Sequence, residues 1–267
     1  MSCIHDHAYR QTKEWARQAG SLIRGFLQSG EIKVETKKHE ADLVTVVDRA
    51  VENFFVERIG QHFPDHKILG EEGIGEKPAD FSGYVWLIDP IDGTSNFVTQ
   101  QADFVVSVAL YHDGQGIFGV VYDVMRDEMY HAIKGQGMYV NGIEQTVMRG
   151  NLALIDSLIS FEYNFPTEAE LEKGRKLLGL CSKIRGMRSY GATALAMAKV
   201  AAGKNNGFVT MGTNPWDYGA GKVLVEEAGG IVTDFKGNPL SLERRSSVIA
   251  CHPAIYQELL QFVSDLA

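Results

Sequence analysis

The sequence predicts an α/β protein built of layered helices and sheets, and three observations lead to this class. The first apolar patterns have the period of amphipathic helices, residues 84–133 have the short apolar runs of strands, and the part after residue 151 alternates between the two. A chain of 267 residues is long enough for one large layered domain or two closely packed lobes. We place the boundary near residue 150, between an N-terminal lobe (1–150) and a C-terminal lobe (151–267).

The N-terminal lobe is predicted to contain two helices followed by an antiparallel meander. The apolar residues around Trp15 lie on one face of a helix over 7–28, and a second helix follows Thr45. Turn residues such as Asp113-Gly114 separate the apolar runs that come next. Strands are expected at 84–88, 104–111, 116–123 and 128–133.

The C-terminal lobe is predicted to alternate helices and strands. One helix is well delimited, because Asn214 is a typical N-cap, Pro215 suits the first helical position and Gly229-Gly230 follows the end. Helices are expected at 167–178, 191–202, 215–228 and near the C-terminus, and strands at 207–210, 231–233 and 247–251.

Charge, cysteine usage and hydropathy narrow the class of protein. The net charge of −8 and the short basic clusters Lys37-Lys38 and Arg244-Arg245 argue against binding nucleic acid. An acidic enzyme that acts on an anionic substrate needs bound cations to offset repulsion. The distant cysteines Cys3, Cys181 and Cys251 form no CxxC pair, which indicates a reduced, cytoplasmic setting. No signal peptide or apolar run of roughly 18 residues is present, so we expect a soluble protein.

The most informative segment is 86–97, where a hydrophobic strand leads directly into two aspartates separated by Pro-Ile. Asp89 and Asp92 at this spacing can converge on one point, because Pro90 limits relaxation of the turn. Gly93 lets the backbone approach a ligand closely, and the amides of the turn that follows suit an anion. Taken singly, Asp89 is also explained as a strand-end turn residue and Asp92 as an N-cap. Taken together, the residues of this segment favour a functional site that binds a ligand.

Three further acidic segments supply candidates for the same site. Glu71 and Glu72 lie between glycines in a loop, and Mg²⁺ sites are assembled from a few such carboxylates together with substrate phosphate. Asp217 falls in the first turn of a predicted helix, a position that the helix dipole alone also favours. Thr45 and Asp48 form a capping-box-like pair at the start of the second helix, which does not exclude a catalytic role for Asp48.

In this combination and order, the four segments resemble the lithium-sensitive phosphatases related to inositol monophosphatase. The two signature motifs of that family correspond to 86–96 and 216–230, the Gly-Glu-Glu and Asp-Leu-Val-Thr segments match as well, and the resemblance covers nearly the whole chain. It implies an alternating αβαβα sandwich of the inositol monophosphatase and fructose-1,6-bisphosphatase type, and a homodimer. The eight histidines show no HExxH spacing, which disfavours a zinc hydrolase.

The resemblance also implies a role for each matched residue. Thr94 would lie beside the first metal and, with Asp48, would orient the attacking water, and Glu71 would join them as a catalytic residue. Glu72 would support these groups, and Lys37 matches a family lysine near the site. The Mg²⁺ ligands would be Glu71, Asp89, the backbone carbonyl of Ile91, Asp92 and Asp217.

The substrate side departs from the family pattern. Inositol-cleaving members place a glutamate shortly before the Trp-Asp motif, where this chain has Thr210. Threonine offers no charge-assisted hydrogen bond, so we expect a broader pocket and predict that Thr210→Glu raises selectivity for inositol 1-phosphate. Ser189 is also explained as an N-cap. The substrate contacts implied by the resemblance are the amides around Gly93, Thr94 and Ser95, with Ser189, Gly191, Ala192, Thr210 and Asp217.

The expected activity is Mg²⁺-dependent hydrolysis of small phosphate monoesters, inositol monophosphate first among them, by two-metal activation of water. One alternative is a phosphatase of the same fold that acts on sugar bisphosphates or phosphoadenosine nucleotides. The other is a non-catalytic partner of the transcription machinery, which ranks last because a pure binding module has no need to keep every metal ligand. The expected partners are small phosphorylated polyols or sugars, with neither a membrane nor nucleic acid.

Overall fold

The structure is a computed structural model that describes residues 3–30, 34–36, 43–75, 78–146, 148–162 and 168–266. Lys37 lies outside the described residues, so its predicted place near the site stays a prediction. None of the helices in these ranges combines the length and hydropathy of a bilayer-spanning segment.

The described residues form α-helices and β-strands that follow the predicted order closely. The helices are α1 (Cys3–Ser29), α2 (Val46–His62), α3 (Thr94–Gln100), α4 (Glu168–Leu178), α5 (Thr193–Ala201), α6 (Pro215–Glu227) and α7 (Tyr256–Val263). The first strands are β1 (Val34–Thr36), β2 (Leu43–Thr45), β3 (Lys67–Gly70), β4 (Tyr84–Asp92), β5 (Val105–His112), β6 (Gln115–Asp123) and β7 (Glu128–Ile133). The later strands are β8 (Met138–Val140), β9 (Ile143–Glu144), β10 (Leu158–Glu162), β11 (Gly186–Arg188), β12 (Gly207–Thr213), β13 (Ile231–Thr233) and β14 (Ser246–Cys251).

The elements stack in five alternating layers. A seven-stranded sheet in the order β3-β4-β5-β6-β7-β8-β9 carries α1 and α2 on one face. A five-stranded sheet in the order β11-β10-β12-β14-β13 carries α4 and α7 on its outer face. Helices α5 and α6 fill the space between the two sheets. This arrangement confirms the predicted αβαβα fold class.

The central helix layer joins the two sheets in one hydrophobic core. That cluster takes Leu87 and Ala109 from the first sheet and Phe208 and Val248 from the second, together with nearly every residue of α5. A helix that is apolar on all sides is stable only when it is buried on all sides. The chain crosses from one sheet to the other between β9 and β10, close to the predicted boundary. The division into lobes at residue 150 stays a prediction.

The meander in the first sheet forms as its turn chemistry predicts. Strands β5 and β6 pair antiparallel, and the turn between them places Asp113 at φ 49° and Gly114 at φ 73°. Two left-handed residues in succession give the turn that matches the twist of paired strands. Strand β4 runs four residues beyond the predicted end, and those four residues include both aspartates of the motif.

Candidate active site

A β-bulge at the end of β4 sets the direction of its two aspartates. Asp89 pairs with Ser107 of β5, whereas Asp92 pairs with Val105, so three steps along β4 match two steps along β5. In a regular strand, side chains three residues apart point to opposite faces. The extra residue in the bulge restores the same face. Asp89 and Asp92 therefore both point from the sheet toward the α5–α6 layer.

Four carboxyl groups meet on that face. The Asp89 carboxyl is in hydrogen-bond contact with the carboxyls of Glu71 and Asp217. Burial, followed by the charges of Glu71, Asp92 and Asp217, holds the pKa of Asp89 well above its usual range. Two carboxylates cannot share a hydrogen bond unless one is protonated, so neighbouring acids in this arrangement need either protons or a cation between them.

Asp92 is held by the N-terminus of a helix from the other half of the chain. Its oxygens accept the backbone N–H groups of Thr193 at 3.1 Å, Ala194 at 2.6 Å and Leu195 at 3.4 Å, all in the first turn of α5. Burial and the nearby Asp217 charge raise its pKa, whereas these amides act in the opposite direction. The helix after Asp92 has Gly93 as its N-cap, so the interpretation of Asp92 as a local N-cap is wrong.

Asp217 reaches the cluster from the first turn of α6. One of its oxygens, Oδ2, accepts the Thr213 hydroxyl at 2.5 Å and the Asn214 backbone N–H at 2.8 Å. Burial and the Glu71 charge raise the pKa of Asp217 to about 6. Asp217 thus caps α6 as well as occupying the first-turn position that the helix dipole favours, and the same carboxyl also contacts Asp89. Capping fixes the side chain in the direction that the site requires.

Asp48 repeats this arrangement on α2. Its Oδ2 accepts the Thr45 backbone N–H at 2.8 Å and the Thr45 hydroxyl at 2.5 Å, which confirms the predicted capping box. The Thr94 hydroxyl lies 3.3 Å from Asp48 Oδ1 and 3.1 Å from the Ile91 carbonyl oxygen. Burial raises the pKa of Asp48 to about 6 against the hydrogen bonds from Thr45, and the charges of the Glu71–Glu72 pair add to the rise. The structure thus brings Asp48, Thr94 and the Ile91 carbonyl into one hydrogen-bond network.

Glu52 is a site residue that the sequence analysis missed. Its side chain is fully buried, and it accepts the backbone N–H groups of Glu72 at 2.8 Å and Ile74 at 2.9 Å. It packs so closely under Gly70 that a Cβ atom there would lie 2.5 Å from the carboxylate. Glu52 therefore holds the loop that carries Glu71. The sequence feature that could have identified Glu52 is an acidic residue four positions after Asp48, on the apolar face of α2.

The turn after β4 brings the two halves of the chain into contact. Gly93 has φ 92°, and a Cβ atom there would lie 3.1 Å from the Ala192 side chain and 3.3 Å from the Gly191 carbonyl oxygen. Asn96, also missed by the sequence analysis, donates from Nδ2 to the Tyr190 carbonyl oxygen at 2.6 Å and to that of Asp103 at 2.8 Å. Since α3 starts at Thr94, its first amide groups have no partner within the helix.

The residues predicted to contact the substrate differ in burial, since some are exposed and others are buried. Ala192 is buried and is the N-cap of α5, so the interpretation of Ser189 as an N-cap is wrong. Ser189 is exposed, and its hydroxyl lies 3.2 Å from Glu162 Oε2. Ser95 is exposed on the first turn of α3. Thr210 is only 4% exposed, on β12.

The donor chemistry of the cluster fits Mg²⁺. Within the described ranges, no three His, Cys, Asp or Glu side chains form a ready-made metal site. The fit rests on the contacts of the Asp89 carboxyl with those of Glu71 and Asp217, and on the charge of Asp92 close by. The Ile91 carbonyl lies in the same turn and accepts the Thr94 hydroxyl. Mg²⁺ prefers oxygen ligands and offsets both the burial and the mutual repulsion that raise the pKa values of Asp89, Asp92 and Asp217.

Comparisons with known proteins agree with this geometry. The sequence model of the inositol monophosphatase family matches residues 5–266. Inositol-1-monophosphatase of Bacillus subtilis is 40% identical over 249 residues, 93% of each chain, and Nus factor SuhB of Escherichia coli K12 is 35% identical over 94% of this chain and 93% of its own. A solved structure described as an IMPase/NADP phosphatase complexed with Mg²⁺ and phosphate has a TM-score of 0.86 at 27% identity, covering 97% of this chain and 96% of that one.

Proposed function

Because the chain belongs to the inositol monophosphatase family and is a phosphoric monoester hydrolase, we propose that it cleaves small phosphate monoesters at the carboxylate cluster, with inositol monophosphate as the first candidate substrate. The observation that carries this proposal is the convergence of Glu71, Asp89, Asp92 and Asp217 on the face between the two sheets. Acids in such contact at neutral pH are typical of a site that binds cations, and a cation in turn attracts a phosphate.

The proposed metal ligands are these four carboxylates and the Ile91 carbonyl. When bound, Mg²⁺ supplies a nucleophilic water at neutral pH and neutralises charge on the phosphate and on the leaving oxygen. The carboxylates hold the cation in place, and their hydrogen bonds from Thr213, Asn214 and the α5 amides fix the direction of each oxygen. Positioning and charge neutralisation are the main requirements of phosphoryl transfer, and no covalent nucleophile is needed.

Asp48 and Thr94 are proposed to orient the attacking water. The Thr94 hydroxyl lies between Asp48 Oδ1 and the Ile91 carbonyl, so its proton can move toward Asp48 while its oxygen accepts a proton from the water. A pKa near 6 for the Asp48 carboxyl gives a base suited to pH values around neutrality. Glu72 is proposed to support this network electrostatically, with Glu52 holding its backbone.

The turn that starts α3 is proposed to hold the phosphate. The amides of Gly93, Thr94 and Ser95 lie at the end of β4, directly after the acids, and helix N-termini favour anions. Ser189, Gly191 and Ala192 are proposed to contact the leaving alcohol, because their loop lies against Gly93.

Two other functions follow from the relatives. The IMPase/NADP phosphatase described above acts on a nucleotide, which keeps sugar bisphosphates and phosphoadenosine nucleotides as the second candidate substrate class. The relative named Nus factor SuhB supports a role with the transcription machinery. This role ranks below catalysis here, because the net charge of −8 disfavours contact with nucleic acid and the carboxylate cluster is complete.

The proposal also covers the oligomeric state of the protein and its location in the cell. The family resemblance supports a homodimer, which light scattering at micromolar concentration tests, and a clean monomer would remove this part. Cys181 and Cys251 are free thiols, and this usage supports a cytoplasmic location.

A phosphate-release panel tests the function. Inositol 1-phosphate, glycerol 2-phosphate, fructose 1,6-bisphosphate and 3′-phosphoadenosine 5′-phosphate are assayed with Mg²⁺, with EDTA and with Mg²⁺ plus tens of millimolar lithium. We expect the highest rate with a monoester, no rate in EDTA and inhibition by lithium. A protein that releases no phosphate from any compound with Mg²⁺ contradicts the proposal, and a clear preference for the last two compounds selects the second substrate class.

A further inference from the structure

Glu162 is a carboxylate on the substrate side that none of the predicted roles uses. It is the last residue of β10, and it pairs in register with Thr210 of the parallel strand β12. Partners across a parallel pair point to the same face, which here is the face toward the α5–α6 layer, because the alternate residues Phe161 and Val209 belong to the outer core. Glu162 is partly buried, whereas Thr210 is almost fully buried.

The Glu162 carboxylate accepts hydrogen bonds from three successive residues of one loop. Its Oε1 accepts the backbone N–H of Tyr190 at 2.7 Å and that of Gly191 at 2.9 Å. Its Oε2 accepts the Ser189 hydroxyl at 3.2 Å. Hydrogen bonds to a charged acceptor are roughly twice as strong as neutral ones, so this carboxylate anchors the whole segment 189–191.

The same loop is held from its other side by α3, the helix that follows the acids of β4. Asn96 donates to the Tyr190 carbonyl oxygen at 2.6 Å. A Cβ atom on Gly191 would lie only 2.9 Å from the Asn96 amide group, so the two residues are tightly packed. The Gly191 carbonyl oxygen in turn packs against Gly93. The loop is therefore fixed between Glu162 of the second sheet and α3, which follows the first sheet, and its position sets the space left beside the turn at Gly93.

Resting on the proposed function, we propose that Glu162 is the positioning residue that sets which alcohols the pocket accepts. Thr210 is buried and neutral, and it offers little to a ligand. The carboxylate next to it acts through the loop: it presents the Ser189 hydroxyl and the 189–191 backbone to a leaving group that carries its own hydroxyls. Removing this anchor relaxes the leaving-group side and leaves the acids of the metal cluster in place.

The test compares Glu162→Ala and Glu162→Gln with wild type on inositol 1-phosphate and on p-nitrophenyl phosphate, whose leaving group carries no ring hydroxyls. We expect Glu162→Ala to lower kcat/KM for inositol 1-phosphate by about ten- to a hundredfold, mainly through KM, and to change the value for p-nitrophenyl phosphate by less than about threefold. Glu172→Ala, an exposed glutamate of α4, is the matched control and should change neither value.

Glu162→Gln separates positioning from charge. Its amide oxygen can still accept the Tyr190 and Gly191 N–H groups, so we expect the ratio of the two kcat/KM values to stay within about threefold of wild type. Equal losses on both substrates in Glu162→Ala, no loss on either, or a Gln variant as unselective as the Ala variant would overturn the proposal.

Hydrogen exchange of the 190–191 amides gives a readout that does not depend on turnover. We expect faster exchange in Glu162→Ala than in wild type, with Glu172→Ala unchanged. If wild type hydrolyses neither compound, the proposed function fails, and exchange alone decides whether Glu162 anchors the loop. Unchanged protection in Glu162→Ala would then overturn the anchor as well.

Discussion

The two sheets use the same backbone device on either side of the α5–α6 layer, with different side chains. In β4 a bulge between Asp89 and Asp92 turns two acids to one face, and in β12 an equivalent register shift separates Thr210 from Thr213. The acids of β4 lie in a cluster where burial and then mutual repulsion raise their pKa values. The Thr213 hydroxyl instead donates to Asp217 and adds no charge.

From this contrast we expect the β4 side to serve catalysis and the β12 side to set selectivity. The β4 side concentrates negative charge that only protons or cations can balance. We therefore expect its residues to bind the cations on which the proposed reaction depends. The β12 side presents the buried, neutral side chains of Thr210 and Thr213. The neighbouring carboxylate of Glu162, on β10, already accepts hydrogen bonds from a loop. Changes on the β4 side should abolish turnover, whereas changes on the β12 side should alter substrate preference or stability.

The largest effect is expected at Asp92. Asp92→Asn removes a metal-holding charge and turns an NH₂ group toward the α5 amides, so turnover with saturating Mg²⁺ should fall at least about a hundredfold. Phosphate release from inositol 1-phosphate measures the loss, and circular dichroism checks that the fold survives. Asp65→Asn, in the exposed turn after α2, is the control. Near-normal turnover in Asp92→Asn would end the assignment of the β4 side as the catalytic one.

Metal binding should also stabilise the fold. A site filled at a hundred times its dissociation constant adds about 2.7 kcal/mol, roughly 5–10 °C in the unfolding temperature of a chain of this size. Asp89→Asn should lose most of the Mg²⁺-induced shift, and in EDTA it should unfold no earlier than wild type, because one acid leaves a repelling cluster. A full Mg²⁺ shift in Asp89→Asn, read by thermal scans, would place the cation elsewhere.

A pair of glycine variants isolates the support beneath Glu71. In Gly70→Ala the new Cβ atom meets the Glu52 carboxylate at 2.5 Å, which should strip partners from the Glu72 and Ile74 amides at about 1–3 kcal/mol and lower turnover about tenfold. Gly60→Ala, inside α2 with open space around it, should instead stabilise by about 0.5–1 kcal/mol. Equal behaviour of the two variants, in denaturant titrations and in turnover, would remove the role of Glu52.

The smallest effect on turnover is expected at Thr210, where the packing leads us to expect a result different from the sequence-based prediction. A glutamate there would lie buried beside Glu162, its partner across the strands, and like charges in that position repel. Thr210→Glu should therefore lower the unfolding temperature and change selectivity for inositol 1-phosphate by less than about threefold. Thr210→Glu combined with Glu162→Gln should recover part of the stability. A large gain in selectivity in the single variant would restore the original prediction.

The reaction class and the order of the helices and strands could be predicted from the amino-acid sequence. Asp48 could be predicted because a capping box is a local pattern, and this side chain caps α2 as predicted while also facing the candidate site. Asp217 could be predicted because it falls in the first turn of a well-delimited helix, and the structure adds that it caps this helix. The acids at the end of β4 could be predicted because an apolar run followed by Asp-Pro-Ile-Asp-Gly is also a local pattern. Such signals involve residues a few positions apart, whose geometry the backbone of one element sets.

The contacts that hold these acids, and those that surround the proposed substrate pocket, are visible only in the tertiary structure. Asp89 and Asp92 would face opposite ways on a regular strand, and the bulge that aligns them exists only in the pairing of β4 with β5. The donors to Asp92 come from residues about a hundred positions away, at the start of α5. Glu162 meets Thr210 only because β10 and β12 are neighbours in a parallel pair. Contacts across such distances depend on packing between layers, which leaves no periodic or local trace in the chain.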